Sequence, residues 1–179
     1  MVNIIFEAHG TTFDNEEHIS SGWFDVELSL LGKKQSIEMG KRYKDKAIDL
    51  VYCSDLKRSY NSAEIAFGGR DIEIVRDKRL NECNYGDLNH RPSAKVDPLK
   101  IKSIEKPFPN GESYLDTAER IKDFLADLLK NHNNETVMII GHRATQYGLE
   151  HWILGKNYKE IISASWSWQP GWEYKFEKL

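Results

Sequence analysis

The stretch IIFEAHGTTFDN, residues 4–15, is an apolar run that ends in His9 and Gly10 and continues with small polar residues. A second stretch, VMIIGHRA, has the same form and places His142 directly after an apolar run and a glycine. Ligands of α/β proteins bind at the carboxyl ends of the strands, where both histidines would lie. A single histidine at a strand end is usually structural, but two in equivalent settings favour a shared functional site.

Short apolar runs alternate with amphipathic helices along the chain, which predicts an α/β fold with a sheet covered by helices. The predicted strands are 2–6, 50–53, 72–75 and 136–140, with 172–176 as a final edge strand. The predicted helices span about 29–44, 55–67, 112–131 and 142–154, the first of them capped by Ser29.

A long segment, residues 77–111, separates the third strand from the third helix and holds four of the five prolines. Long loops in compact domains are commonly lids or binding loops, so this segment is predicted to be a lid or substrate loop. Because no repeat or interdomain linker interrupts the sequence, residues 1–179 are expected to form a single domain.

The composition excludes several classes of protein. Charged residues make up 30% of the chain and hydrophobic residues 40%, a profile typical of soluble globular proteins, and no apolar run approaches the roughly 18 residues of a membrane span. The net charge of −3 favours neither nucleic acid nor a membrane as a partner, and a cytoplasmic location is expected by default. Cys53 and Cys83 form no Cys-x-x-Cys pair and are expected to be reduced thiols.

Two further charged residues follow predicted strands. Arg58 stands on the first turns of a helix and Glu82 lies in the loop beyond the third strand, where each alone would be an ordinary surface residue. Together, two imidazoles, a guanidinium and a carboxylate suit phosphoryl transfer, which needs a nucleophile, cationic donors and an acid for the leaving oxygen. A zinc site is disfavoured because the chain has no His-x₃-His or Cys-x₂-Cys pair, and the glycine-rich nucleotide-binding motifs are absent.

These residues, in this order, resemble the histidine phosphatase (phosphoglycerate mutase-like) superfamily. AHGTT lines up with the family signature Arg-His-Gly-Glu/Gln-Thr/Ser, and SGWFDVELSLLGKKQ is close to its Gly-Trp-x-Asp-x-x-Leu-Ser-x-x-Gly motif. SDLKRSYNSAEIAF, LNECNYGDLN, PNGESYLDTAERI and VMIIGHRA resemble its later motifs. Each motif is weak, but their shared order is specific and covers nearly the whole chain.

The resemblance implies a three-layer α/β/α sandwich with a mostly parallel central sheet and a reaction through a phosphohistidine on His9. Glu82 would protonate the leaving alcohol and then activate water, while Arg58 and His142 would hold the phosphoryl oxygens. No metal or other cofactor is expected. The residues expected to bind the phosphate or the substrate are Gly10, Thr11, Thr12, Asn15, Arg143 and Trp23.

The main departure from the family is Ala8, where the family places an arginine that grips the phosphate with two hydrogen bonds. A methyl group cannot replace a planar guanidinium, and losing one such donor typically costs about 10² to 10³ in rate. Arg143, at the start of a helix, could fill the gap, or it could point to solvent or pair with Glu7. Three possibilities stay open: an enzyme in which another cation replaces the missing arginine, a slower phosphatase, and a catalytically inactive protein that binds a phosphorylated ligand. Activity is favoured because the chain retains His9, Arg58, Glu82 and His142.

Hydrolysis of a small phosphomonoester is expected rather than mutase activity. A mutase must exclude water between transfers, and this short chain has only residues 77–111 to serve as a lid. The partner is therefore expected to be a small phosphorylated metabolite. The candidate walls for its organic part are Trp23, Phe24, Tyr85, Phe108, Trp166 and Trp168, with added charge from His90 and Arg91. The aromatic tail SASWSWQPGWEYKF could line the pocket, fill the core or form a homodimer contact.

Overall fold

The computed structural model describes the whole chain, residues 1–179, and its central element is a five-stranded sheet. The sheet consists of β1 (Val2–Ala8), β3 (Leu50–Cys53), β4 (Glu73–Arg76), β6 (Thr136–Gly141) and β7 (Trp172–Phe176), in the order β4-β3-β6-β1-β7. The first four strands run parallel, and β7 is an antiparallel edge strand against β1. The predicted strands and the mostly parallel sheet are confirmed.

Helices cover both faces of this sheet. The cluster that contains Ile5 and Met138 packs against α2 (Leu30–Arg42) and α3 (Lys57–Phe67), whereas Ile4 and Ile139 pack against α5 (Tyr114–Asn131) and α6 (Arg143–Leu154). Neighbouring residues of one strand therefore pack into hydrophobic layers on opposite faces of the sheet, as the alternation of side chains along a strand requires. The three-layer α/β/α sandwich is confirmed. None of the helices has both the length and the apolar character needed to cross a bilayer.

Several short elements were not predicted because they are too brief to show a hydrophobic period. They are α1 (Phe13–Glu16), β2 (Ile19–Ser20), β5 (Arg91–Pro92), α4 (Ser93–Val96) and α7 (Tyr158–Ser163). The segment 77–111 contains β5, α4 and three turns of 3₁₀ helix, so it is more ordered than a plain loop.

Contacts with α1 and β2 fasten this segment beside the carboxyl edge of the central sheet. β5 pairs with β2, and the Ser93 amide donates to the His18 carbonyl over 2.8 Å. His90 stacks on Phe24 with ring centroids 4.0 Å apart, and its Nδ1 lies 3.0 Å from Asp14 Oδ2. The role of residues 77–111 as a lid stays a prediction.

Candidate active site

His9 and His142 lie side by side because the strands before them are neighbours. In the parallel pairing of β1 with β6, Ala8 is opposite Gly141, so both strands end at the same level of the sheet. The His9 amide donates to the Gly141 carbonyl over 3.1 Å, and the two imidazole centroids are 5.0 Å apart. The structure thus brings together the two histidines whose equivalent settings stood out in the sequence.

A backbone contact fixes the tautomer of His9. Its Nδ1 lies 2.7 Å from the Gly10 carbonyl oxygen, which can only accept, so Nδ1 carries the proton and Nε2 keeps a free lone pair. Burial, reinforced by the positive charge of Arg58, lowers the pKa of His9 to about 3. His9 is therefore neutral near pH 7, with Nε2 available as a nucleophile.

Ser54, which follows β3, holds the ring of His142. His142 Nε2 lies 2.7 Å from Ser54 Oγ, which also accepts the Leu56 amide over 3.3 Å. The other ring nitrogen of His142, Nδ1, is buried and has no hydrogen-bond partner in the protein. Burial, together with Arg58 and His9, lowers the pKa of His142 well below its usual value. His142 thus keeps Nδ1 available to a ligand.

Arg58, on the first turn of α3, is buried with its guanidinium held by the backbone. Its Nη2 donates to the Gly22 carbonyl over 2.7 Å and its Nη1 to the Phe24 carbonyl over 3.2 Å. These bonds fix the planar group before any ligand binds, which is the preorganisation that electrostatic catalysis requires.

Glu82 is fixed through both its carboxylate and its backbone. Its Oε1 accepts the amides of Cys83 at 2.8 Å and Ala144 at 3.3 Å, while Oε2 has no protein partner. Its carbonyl oxygen accepts Trp23 Nε1 at 2.6 Å and Arg120 Nη2 at 2.9 Å. One carboxylate oxygen therefore remains for a substrate or water.

Arg120 is the positioning residue that the sequence did not reveal. Besides Glu82, its guanidinium donates to the carbonyls of Arg79 and Asn81, and both oxygens of Glu112 accept from it at 3.0 Å. Arg120 lies within α5, where an arginine usually belongs to the solvated face of the helix. Only the folded structure shows that it supports the Glu82 segment.

Gly10 permits a close approach between the segment after β1 and α2. A Cβ atom at Gly10 would collide with the carbonyl oxygen of Gly32, and the backbone amide of Gly10 already donates to Ser62 Oγ over 3.0 Å. Residue 10 must therefore be glycine for the loop that carries His9 to pack against α2.

Asn15 is positioned by a reciprocal pair of hydrogen bonds with Thr12. The Thr12 hydroxyl accepts the Asn15 amide over 3.1 Å, and Asn15 Oδ1 accepts the Thr12 amide over 3.0 Å. Thr12 is fully buried, whereas the Asn15 side chain lines the cleft with its amide nitrogen unpaired. The Thr11 amide donates to Gln35 Oε1 over 2.8 Å.

The cleft at this edge has two lobes, both lined by His9, Asn15, Glu82 and Arg143. The first, of about 170 Å³, is called the Arg58 lobe and is also lined by Ser20, Ser21, Gly22, Arg58, Tyr85 and Lys100. The second, of about 540 Å³, is called the Arg42 lobe and is also lined by Glu7, Ala8, Gln35, Met39, Arg42, Trp166 and Trp168.

Arg143 lies beside the site and does not pair with Glu7. Its Cζ is 5.4 Å from the ring centroid of Trp166 and 5.8 Å from that of Tyr147, and its Nε is buried without a hydrogen-bond partner. Glu7 is instead engaged by Tyr43 Oη at 2.8 Å and Arg42 Nη2 at 3.2 Å. Arg143 is thus placed where it could serve a bound phosphoryl group.

The predicted aromatic walls take different places. Trp166 and Trp168 line the Arg42 lobe and Tyr85 lines the Arg58 lobe, while Phe108 is buried behind Tyr85 in the core. Trp23 supports the Glu82 backbone from outside both lobes. No group of three or more His, Cys, Asp or Glu side chains is arranged to hold a metal ion.

Comparison with known proteins gives a consistent result. The family model for the histidine phosphatase superfamily (branch 1) matches residues 4–168. The 2,3-bisphosphoglycerate-dependent phosphoglycerate mutase of Bartonella tribocorum is 30% identical over 175 residues, covering 89% of this chain and 85% of that protein. Phosphoserine phosphatase 1 of Hydrogenobacter thermophilus is 27% identical over 175 residues, with coverages of 93% and 81%. The solved structure of Bacillus stearothermophilus YhfR matches with a TM-score of 0.84 at 25% identity, with coverages of 95% and 88%.

Proposed function

The chain belongs to the histidine phosphatase superfamily, and on that premise we propose that it hydrolyses a small phosphomonoester through a phosphohistidine on His9, with no metal ion. The observation that carries the proposal is the contact of His9 Nδ1 with the Gly10 carbonyl, which leaves a neutral Nε2 beside Glu82, His142 and Arg58. A neutral imidazole nitrogen surrounded by donors is what attack on a phosphomonoester requires.

In the first step, His9 Nε2 attacks phosphorus and the bond from phosphorus to the leaving oxygen breaks. Glu82 gives its proton to that oxygen, so the alcohol departs neutral. Arg58, Asn15 and His142, in the tautomer protonated on its unpartnered Nδ1, hold the phosphoryl oxygens.

In the second step, water attacks the phosphohistidine and the bond between nitrogen and phosphorus breaks. Glu82, now a carboxylate, takes the proton from the water. Inorganic phosphate leaves, and His9 returns to its neutral form.

Arg143 is proposed as the cation that partly compensates for the arginine missing at Ala8. It lines both lobes and has an unpartnered Nε, so a phosphoryl group at His9 would have a second guanidinium within the same cleft. Unlike Arg58, it has no backbone carbonyls to hold its guanidinium, which favours a slower enzyme.

A catalytically inactive protein that binds a phosphorylated ligand is the second candidate function, and Ala8 is the feature that favours it. A phosphomutase is a third, because one relative is named a phosphoglycerate mutase whereas another is named a phosphoserine phosphatase.

Phosphate release from a panel of alkyl and aryl phosphates, with chelator present throughout, separates these functions. We expect release by the wild-type protein, loss of at least about 10³-fold in His9→Ala, and no change in Lys41→Ala, a surface control on α2. Saturable binding without release would instead identify the catalytically inactive protein, and transfer to an added alcohol without net release would identify a mutase.

A further inference from the structure

The Arg42 lobe is larger than a phosphoryl group needs. Its volume of about 540 Å³ lies in the range of pockets that enclose whole small molecules. Besides His9 and the short side chain of Ala8, its lining includes Gln35, Arg42 and Trp168. A substituent of the substrate could therefore occupy it.

Arg42 lines this lobe, is held in place by its neighbours and keeps unused donors. Its Nη2 lies 3.2 Å from Glu7 Oε1, and its Cζ lies 5.4 Å from the Trp168 ring centroid. A guanidinium has five N–H groups, and only Glu7 and Tyr43 engage that of Arg42 in the protein, which leaves donors free. The Arg42 side chain is 30% exposed, so these donors can reach a ligand.

Gln35 adds a second donor to the same lobe. Because its Oε1 accepts the Thr11 amide, its NH₂ group is left to face other partners. Glu7, the acid beside Arg42, is fully buried and also lines the lobe; its Oε1 is engaged by Arg42 and Tyr43, and its Oε2 has no hydrogen-bond partner. The lobe therefore offers the N–H donors of Arg42 and Gln35 to a ligand, beside a carboxylate that Arg42 pairs.

We propose that the Arg42 lobe binds a second anionic group, a carboxylate or a second phosphate, on the leaving group of the substrate, and that Arg42 determines this preference. The planar fork of an arginine matches both anions through paired hydrogen bonds. The proposal rests on the proposed function in one respect, that the reacting phosphoryl group lies at His9.

Binding to His9→Ala, which cannot form the phosphohistidine, tests this assignment without turnover. The probes are alkyl phosphates of three to six carbons, each compared with the analogue that bears a terminal carboxylate and with the terminal bisphosphate. We expect a terminal anion to tighten binding by about 10- to 100-fold at a matching chain length. The terminal anion that gives the larger increase in affinity identifies the second group.

Adding Arg42→Ala to this protein should abolish the gain, so that analogues with a terminal anion bind no more tightly than the plain alkyl phosphate in the same variant, and Lys41→Ala should preserve it. Because Arg42→Ala leaves the buried Glu7 unpaired, Glu7→Gln/Arg42→Ala removes both charges and gives the same test in a protein without that defect. Absence of any gain at every chain length, or a gain that survives loss of Arg42, would overturn the assignment.

The two proposals fail separately. If the expected binding pattern appears but the wild-type protein releases no phosphate, the hydrolase proposal is wrong and the assignment of Arg42 stands. If phosphate is released without any preference for a terminal anion, only the assignment of Arg42 is wrong.

Discussion

Ser54 Oγ lies 2.7 Å from His142 Nε2 and is the hydrogen-bond partner that fixes this ring. Ser54→Ala removes that partner, so the ring loses its fixed orientation and the Nδ1–H proposed to face a phosphoryl oxygen is misplaced in part of the molecules. We expect kcat for an alkyl phosphate to fall by about 10- to 100-fold. Ser36→Ala, which removes a buried hydroxyl bonded to Gly32 within α2, is the control and should leave kcat unchanged. An unaltered kcat in a folded Ser54→Ala protein would remove Ser54 from this role.

Arg120 should act on catalysis through Glu82. Arg120→Lys keeps the charge but cannot reach three carbonyls and Glu112 together, so the Glu82 carboxylate should lose its fixed position. Because proton donation matters most for poor leaving groups, kcat should fall by about 10-fold or more for alkyl phosphates and much less for an aryl phosphate. Equal losses on both substrates would indicate a purely structural role for Arg120.

Arg143→Ala tests the proposed replacement for the arginine missing at Ala8. Losing one donor to the transferring group should lower kcat/KM by about 10² to 10³. Arg76→Ala, at the end of β4 and outside both lobes, is the matched control and should have no effect on kcat/KM. If Arg143→Ala turns over substrate at the wild-type rate, Arg143 does not compensate for the missing arginine.

His9 and His142 should make the folded protein sensitive to acid. The unfolded chain protonates a histidine near pH 6.5, whereas burial lowers the pKa of His9 to about 3, so the unfolded state binds more protons between these values. Stability is therefore present above pH 6.5 and falls as the pH decreases. Between pH 7.5 and 5, wild type should lose more unfolding free energy than His9→Ala, by at most about 2 kcal/mol. Urea unfolding at both pH values measures the difference, and equal losses would show that His9 is not kept neutral by the fold.

Most of the fold could be predicted because its long elements carry strong periodic patterns. β1 and β6 are apolar runs, and α5 has an apolar stripe that includes Ile121 and Leu125. The short β2 and β5 could not be predicted, since two residues cannot show a period. Their pairing depends on contacts between distant parts of the chain.

The same distinction holds for the site. His9 and His142 could be located because strand ends are visible in the sequence and parallel neighbours place those ends together. Arg120 and Arg42 could not, because each is an ordinary charged position on its helix until the folded chain brings it to Glu82 or Glu7.

The most direct test of the phosphohistidine mechanism is an acid quench of the wild-type protein during turnover of a ³²P-labelled alkyl phosphate, on a millisecond timescale. The mechanism predicts acid-labile label on His9 that appears before free phosphate and decays as phosphate is released, with no label on His9→Ala. Phosphate release with no labelled protein at any time, or label on another residue, would contradict it.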